Sequence, residues 1–384
     1  MKVDPYKHKE RYINWKSSLN GKIPEISEEN SKIILDYIFD MEHGLNVAAG
    51  SRKGSRSYIR LNNLKQRIIF LVKQFEERYN AQDITKIGER ELHEFFTGIK
   101  NGTITRIDGK IYKSPIDYIK IIKAFWHWHM KINRKKDIKV PDITADLDTS
   151  KDKPNWVYLD DNQVKRLCEN SIYDYKVLIT FLFDTGIRAP TELMNIKVSD
   201  FYNDFKELNI REEASKTFGR RIKLMLCSEL IKSYVIGKNL KSEDYLFTKH
   251  PRVMNRYLKR LAKKILGDKT SLAGQKYSEL TMYDFRHCSC CYWLPRYKSE
   301  SALKFRFGWK NSDKIHYYSE MLGMRDTISE EDMLIDVTKT EIEQKLFKSE
   351  NEKEMLKERM AVMEEQMRKI LILVNKGCIV VSPE

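Results

Sequence analysis

The chain has 384 residues, of which 41% are hydrophobic and 33% charged, and its formal net charge is +15 at pH 7. This length allows two domains with full cores, or one large domain with appendages, and the composition is globular. No apolar run approaches the roughly 18 residues of a membrane span, and the N-terminal "MKVDPYKHKERYINW" lacks the apolar core of a signal peptide.

The six cysteines form no disulfide framework. Together these features predict a cytoplasmic protein with no membrane partner. The positive excess predicts attraction to polyanions, nucleic acid first and an anionic membrane surface second. Abundant Lys, Glu and Ile with little Gln point to a thermophilic source.

In chain order, residues 28–41 read as a short amphipathic helix. The basic, turn-prone "AAGSRKGSRS" follows, in which Arg52, Lys53 and Arg56 suit a phosphate-contacting loop. Leu61, Leu64, Ile68, Leu71, Val72, Phe75 and Tyr79 then share one helical face. Residues 89–99 form a further helix, and Ser114 with Pro115 starts another through "IDYIKIIKAFWHWHMKI". The first 132 residues are thus expected to form a four-helix unit with basic loops. His127 and His129 lie two apart on a helix and cannot converge on a metal, so they read as packing and surface positions.

The stretch 133–156 is charged, holds two prolines and is poor in large apolar side chains, so it reads as a linker. Its basic half, with Arg134, Lys135 and Lys136, either tracks a DNA backbone or is simply solvated. Beyond it, Asp160 or Asp161 caps a helix, and "DYKVLITFLFDTGI" is a buried helix ending at Gly186. "ELNI" and "RRIKLML" pair as a hairpin with Lys216 in or near its turn. "HPRVMNRYLKRLAKKIL" is a helix whose basic face includes Arg256, Lys259 and Arg260, suited to DNA.

In the tail, Leu356, Met360, Met363, Met367, Ile370 and Val374 follow heptad spacing. They predict a coiled coil over about 340–375 that self-associates, or else a helix packed on its own domain.

Phosphoryl transfer needs guanidinium-like donors on non-bridging oxygens, a nucleophile, and a proton for the leaving group. Arg188 follows a buried helix and calls for an anion: a phosphate, or the side chain of Glu192 or Asp200. Arg286 in "LTMYDFRH" makes the same demand. Tyr317 and Tyr318 are adjacent phenols, either of which is a nucleophile if positive charge activates it. Cys288 and Cys291 have no second cysteine pair to complete a zinc site and read as small residues of a buried helix.

"DTGIRAPTELMNIKVSD", "SKTFGRRIKLML", "LTMYDFRH", "FGW" and "HYYSE" resemble, in order and spacing, the motifs of the tyrosine recombinases, the lambda-integrase-like site-specific recombinases. The resemblance covers about residues 155–322. It implies a mainly α fold in three parts. These are an N-terminal helical core-binding domain (1–145, with a linker to about 154), an α+β catalytic domain with a small β-sheet or hairpin (155–325), and a C-terminal extension bearing the coiled coil (326–384).

The resemblance also implies roles. Arg188 and Arg286 match the two catalytic arginines, Lys216 the hairpin lysine that protonates the 5′-leaving oxygen, and Trp309 the position supporting the scissile phosphate. Tyr318, nine residues beyond Trp309, matches the nucleophile, with Tyr317 as the alternative. The implied reaction needs neither cofactor nor metal. It runs through a 3′-phosphotyrosyl link and a Holliday junction, on double-stranded DNA with specific sites, in a tetramer.

Three departures stand out. Tyr283 replaces the usual histidine and, as a catalytic residue, can donate to a phosphate oxygen but not act as a near-neutral base; Glu192 falls one position late after Arg188, and Arg220, Arg221 and Lys223 compete with Lys216. The long tail favours the integrase or transposase of an archaeal mobile element over a chromosome-dimer resolvase. A type IB topoisomerase-like enzyme and a non-catalytic DNA-binding architectural protein remain open as alternatives.

Overall fold

In the computed structural model of the chain, residues 3–48, 50–51, 53–112, 114–150, 154–297 and 299–322 are described, together with Lys357, Met360 and 363–367. By their contacts the residues divide into two units, Met1–Ser312 and Asp313–Glu384.

The first unit begins with helices α1 (His8–Ser17), α2 (Glu28–His43), α3 (Tyr58–Tyr79), α4 (Glu89–Asn101) and α5 (Pro115–Arg134). Four of these follow the apolar periodicity; among the described residues α1 makes a fifth. Its sequence has little amphipathic period, and tertiary contacts hold it instead. Tyr12 is buried against the α3 side of the core, its hydroxyl donates to Glu42, and Lys16 pairs with the same carboxylate at 2.7 Å. Ser114 precedes α5 without a side-chain capping bond, so Pro115 alone sets the start.

One core, from Tyr12 to Leu147, unites these helices, with Tyr37 edge-on to Phe125 at 5.3 Å. The fully buried Asn30 staples α2 to the end of α3, donating to Glu76 and to the Ala81 carbonyl and accepting from the Ile84 amide.

The basic loop after α2 folds back on its own helix. At Gly44 (φ 74°) a Cβ would lie 2.4 Å from the Gly54 carbonyl carbon, so the close approach requires glycine. The stretch expected to be a linker is laid along α5 for its first half. Trp126 donates to the Pro141 carbonyl at 2.8 Å, His127 meets Asp142 at 3.0 Å, and Leu147 enters the core.

Next come α6 (Asp161–Glu169) and α7 (Tyr173–Thr185), then three short antiparallel strands in the order β1 (Phe201–Tyr202), β2 (Glu207–Ile210), β3 (Arg220–Lys223). The helices α8 (Ser228–Gly237), α9 (Pro251–Leu266), α10 (Asp284–Trp293) and α11 (Glu300–Phe307) complete the unit. Asp160 caps α6 in a reciprocal capping box with Gln163. The expected hairpin is present, and β1 widens it to a sheet.

α10 lies against the buried helix α7, and Gly186 (φ 58°) ends α7 where a Cβ would meet Phe307 at 2.3 Å. Cys288, Cys290 and Cys291 are buried in α10, where burial pushes their thiols up. Among the described residues no group of side chains could hold a metal ion, and no helix is long and apolar enough to cross a membrane.

In the second unit the described residues form α12 (Asp313–Met321) and a short helical run over 363–367. The expected coiled coil lies largely outside the described residues. Of its stripe, Met360, Met363 and Met367 are helical and exposed.

Candidate active site

The site is built around the last carbonyls of α11. A helix C-terminus carries partial negative charge on carbonyls with no intrahelical partner, so it attracts cations. Three consecutive carbonyls each take a different arginine. That of Arg306 accepts from Arg220 Nε at 2.8 Å, that of Phe307 from an Arg286 terminal nitrogen at 2.6 Å, and that of Gly308 from an Arg188 terminal nitrogen at 2.7 Å. Arg286 also donates to the Gly186 carbonyl at 2.5 Å, which ties the α7 terminus to the same point.

Gly308 allows this convergence. Its φ is 60°, and a Cβ there would come 2.9 Å from the Arg220 guanidinium and 3.2 Å from the Thr217 hydroxyl.

Glu192 is the counterion. Its carboxylate, fully buried, accepts from the Arg188 guanidinium (2.7 Å) and backbone amide (2.9 Å), and from both teeth of the Arg220 fork (3.1 and 2.8 Å). Burial pushes this carboxyl up, but the Arg220 and Arg188 guanidiniums outweigh burial and hold it at about 2.

Asp200, the other acid expected to reach Arg188, instead pairs with Arg211 at 2.8 Å. The one-residue offset of Glu192 is absorbed by the turn itself, in which the Glu192 amide donates to the Arg188 carbonyl at 2.7 Å. Among the described residues Glu192 is the one carboxylate ion-paired with Arg188, Arg220 or Arg286. Three guanidiniums against one carboxylate leave two positive charges.

The three arginines differ in reach. Arg220 is sealed, whereas the Arg188 side chain keeps 14% exposure. Arg286 is buried, and burial and then the Arg188 guanidinium push it down to about 10. Its guanidinium carbon lies 5.5 Å from the Phe307 ring centre and 6.0 Å from that of Trp309, and these two rings stack at 4.9 Å. Trp309 thus stands beside Arg286.

Tyr283, at the N-terminal end of α10, is 47% exposed and edge-on to His287, whose ring stacks on Trp156. Lys216 is exposed in the β2–β3 connection. Its neighbour Thr217 anchors that connection by donating to the Gly308 carbonyl at 2.9 Å.

Of the rivals to Lys216, Arg220 is withdrawn into the core and Arg221 pairs with Glu207 and lies over the Tyr202 ring. Lys223 is exposed at the far end of β3. In the second unit, α12 carries Tyr317 and Tyr318 with ring centres 5.0 Å apart; Tyr318 is buried and Tyr317 half-buried.

Sequence reading took Arg220 for a rival to Lys216 rather than a buried partner of Glu192, and it missed a second buried pair, Arg306 with Asp184. Arg306 donates to the Asp184 carboxylate at 2.7 Å, and the other carboxylate oxygen accepts the amides of Met225, Leu226 and Cys227. The signal for Arg220 was strand alternation. Ile222 and Leu224 point inward, and two residues earlier Arg220 shares their face. An arginine at an inward position needs a buried acid.

The basic residues expected at DNA fall into separate groups. Lys53 and Arg134 line a cleft of about 660 Å³ with Lys131 and Lys139. Lys135 is turned to the Asn46 side chain at 2.6 Å, Arg56 sits where its amide bonds the Met41 carbonyl, and Lys136 is exposed. Arg52 lies outside the described residues. On α9, Arg256 and Arg260 are exposed, whereas Lys259 is paired with Glu279.

No protein-family model matches the chain, and no curated protein matches it. Solved structures do. The chain is similar to a lambda integrase dimer bound to a COC′ core site, with 14% identity and a TM-score of 0.55 over 78% of this chain and 95% of that one. A lambda integrase tetramer bound to a Holliday junction shares 11% identity at a TM-score of 0.54, over 80% of each chain. The Tn1549 transposon integrase in complex with transposon right end DNA shares 17% identity at 0.51, over 67% and 88%. These likenesses are of fold. The mainly helical architecture with a small antiparallel sheet is that of the tyrosine recombinases.

Proposed function

We propose that the chain is a tyrosine recombinase that breaks and rejoins double-stranded DNA at specific sites. The observation that carries this reading is the two-charge excess of guanidinium hung on the end of α11. Buried charge without a counterion is costly, and a bound phosphodiester would complete this site. Each of Arg188 and Arg286 has donors beyond those spent on carbonyls and on Glu192, and guanidinium geometry matches the non-bridging oxygens of a phosphate.

In this reading the Tyr318 oxygen attacks the scissile phosphorus, a new P–O bond to tyrosine forms, and the P–O5′ bond breaks. Lys216 gives its proton to the departing 5′ oxygen, and the phenolic proton leaves to solvent, since Tyr283 is poorly suited to accept it. The 5′-hydroxyl of a partner duplex then attacks the phosphotyrosyl phosphorus: a P–O5′ bond forms, the P–O bond to Tyr318 breaks, the hydroxyl proton returns to Lys216 and the phenolate takes a proton from solvent. Each step exchanges one phosphodiester for another, so no ATP is consumed. Arg188 and Arg286 stabilise the charge that develops on the equatorial oxygens.

The helices before residue 145 act as a DNA clamp, with the basic cleft of Lys53 and Arg134 and the α9 face of Arg256 and Arg260 on the DNA backbone. The catalytic domain spans 155–325. Paired sites are held by a tetramer, to which the 340–375 heptads contribute self-association. The long tail and the composition favour an integrase or transposase of an archaeal mobile element, acting on the nucleoid.

The test is incubation with supercoiled plasmids carrying the DNA that flanks the coding sequence. Recombinant circles support the proposal. Relaxed topoisomers alone indicate a topoisomerase, and bound but topologically unchanged plasmid indicates an architectural protein.

A further inference from the structure

We propose that Arg220 is a positioning residue. Through Glu192 and the Gly308 turn it sets the guanidinium of Arg188, and the loop carrying Lys216, against the scissile phosphate without touching DNA. This rests on the phosphoryl-transfer reading above and names a part of the site that reading does not assign.

Arg220 cannot be a phosphate ligand, because its side chain is fully buried and all three of its nitrogens are engaged. What it holds is the carboxylate that holds Arg188. A carboxylate gripped by one donor can rotate. Glu192 is gripped on both oxygens by a planar fork, and the same two oxygens carry the Arg188 guanidinium and amide.

The third nitrogen of Arg220 bonds the Arg306 carbonyl, so the clamp is referenced to the helix end that also fixes Arg188 and Arg286. Arg220 also opens β3, four residues after Lys216, and pairs with Ile210 across the sheet. Between them, Thr217 bonds both the Gly308 carbonyl and Arg188. The lysine loop is therefore anchored at two points of one network.

Stability alone does not call for this arrangement. Ile222 and Leu224 occupy the same inward face with apolar side chains, and an apolar residue in place of a buried ion cluster is often at least as stable. The fork therefore serves orientation, which lysine, a single point donor, cannot reproduce.

The test compares Arg220→Lys, Arg220→Met, Arg188→Ala, the double variant Arg220→Met/Arg188→Ala and the neutral pair Arg220→Gln/Glu192→Gln, all in the full chain. The readouts are the DNA Kd and the single-turnover rate of covalent adduct formation on nicked duplexes of randomised sequence. For Arg220→Met the adduct rate is expected to fall by about 30- to 100-fold, with Kd within about threefold of wild type. Arg220→Lys recovers part of the rate. The neutral pair keeps the site's net charge and stays slow. Because Arg220 acts through Arg188, the two single losses are expected not to add in the double variant.

A wild-type rate in Arg220→Met or in the neutral pair, or strict additivity with Arg188→Ala, overturns the proposal. Should Arg220→Met not fold, Arg220→Lys carries the comparison, since it keeps the buried charge. If wild type itself forms no adduct, the phosphoryl-transfer reading falls. The positioning role is then judged by the Nε–H resonance of Arg188. It is expected to shift in Arg220→Lys and not in the control Arg221→Lys, and an unmoved resonance overturns it.

Discussion

Replacing Glu192 by glutamine keeps the shape at the centre of the arginine cluster and removes the one carboxylate charge paired with it among the described residues. One of the two oxygens becomes an amide nitrogen that faces guanidinium donors at 2.7–3.1 Å. The magnitude follows from the carboxyl's displacement from 4.5 in the unfolded chain to about 2 in the folded one. At about 1.4 kcal/mol per pH unit this is roughly 3 kcal/mol of stability at neutral pH.

The folded value is depressed, so the contribution is complete above pH 4.5 and is lost as pH falls through about 2. The assay is equilibrium urea unfolding of both proteins from pH 7 to pH 2. Wild type is expected to exceed Glu192→Gln by about 3 kcal/mol at pH 7, and the gap should close towards pH 2. A gap below about 1 kcal/mol at pH 7, or one that does not change with pH, refutes the reasoning.

Lys65 is buried, with its ammonium 4.2 Å from the Trp15 ring centre and no ion pair among the described residues, and burial pushes it down to about 8. Its charge is thus disfavoured in the folded state below pH 8, and the penalty lifts as pH rises to 10.5. Lys65→Met is therefore expected to raise stability by about 1–2 kcal/mol at pH 7, with a gain that shrinks towards pH 10.5 in thermal melts; a loss at pH 7 contradicts this. Gly308→Ala forces a Cβ against the Arg220 guanidinium at a positive φ. It should cost about 1–2 kcal/mol in urea unfolding and slow adduct formation at least about tenfold; wild-type kinetics would refute the tight fit. Removing residues 340–384 should lower the oligomer order seen by light scattering while DNA binding persists, and an unchanged mass removes the coiled-coil proposal.

Much of the fold was legible because apolar spacing is read directly from side chains. The faces of α2, α3, α4 and α5, the buried α7 with its Gly186 stop, and the hairpin strands all follow from it. α1 was not, because its ten residues have one buried side chain, Tyr12, and rely on Glu42 and Lys65 from other helices. In the site, Arg188 and Arg286 were legible as arginines flanking buried helices.

The hub that orients them was hidden for two reasons. Its acceptors are the main-chain carbonyls of Arg306, Phe307 and Gly308, which every residue type supplies. Its acid, Glu192, looks displaced by one residue until the turn from Arg188 is seen to bring amide and guanidinium to the same carboxylate. Arg220 was readable from alternation with Ile222 and Leu224, yet its charge invited a catalytic reading when it is the most enclosed arginine of the cluster.

The most direct test uses duplexes of randomised sequence nicked close to each candidate scissile phosphate, so that the short fragment bearing the released 5′-hydroxyl diffuses away and the covalent intermediate is trapped. Protein–DNA adducts that survive denaturant are digested, and the peptide bearing the residual nucleotide is sequenced by mass spectrometry. A 3′-phosphotyrosyl link on Tyr318 is expected, lost in Tyr318→Phe and retained in Tyr317→Phe, and strongly reduced in Arg188→Ala and Arg286→Ala. An adduct on Tyr317, one indifferent to both arginines, or none from the wild-type chain contradicts it.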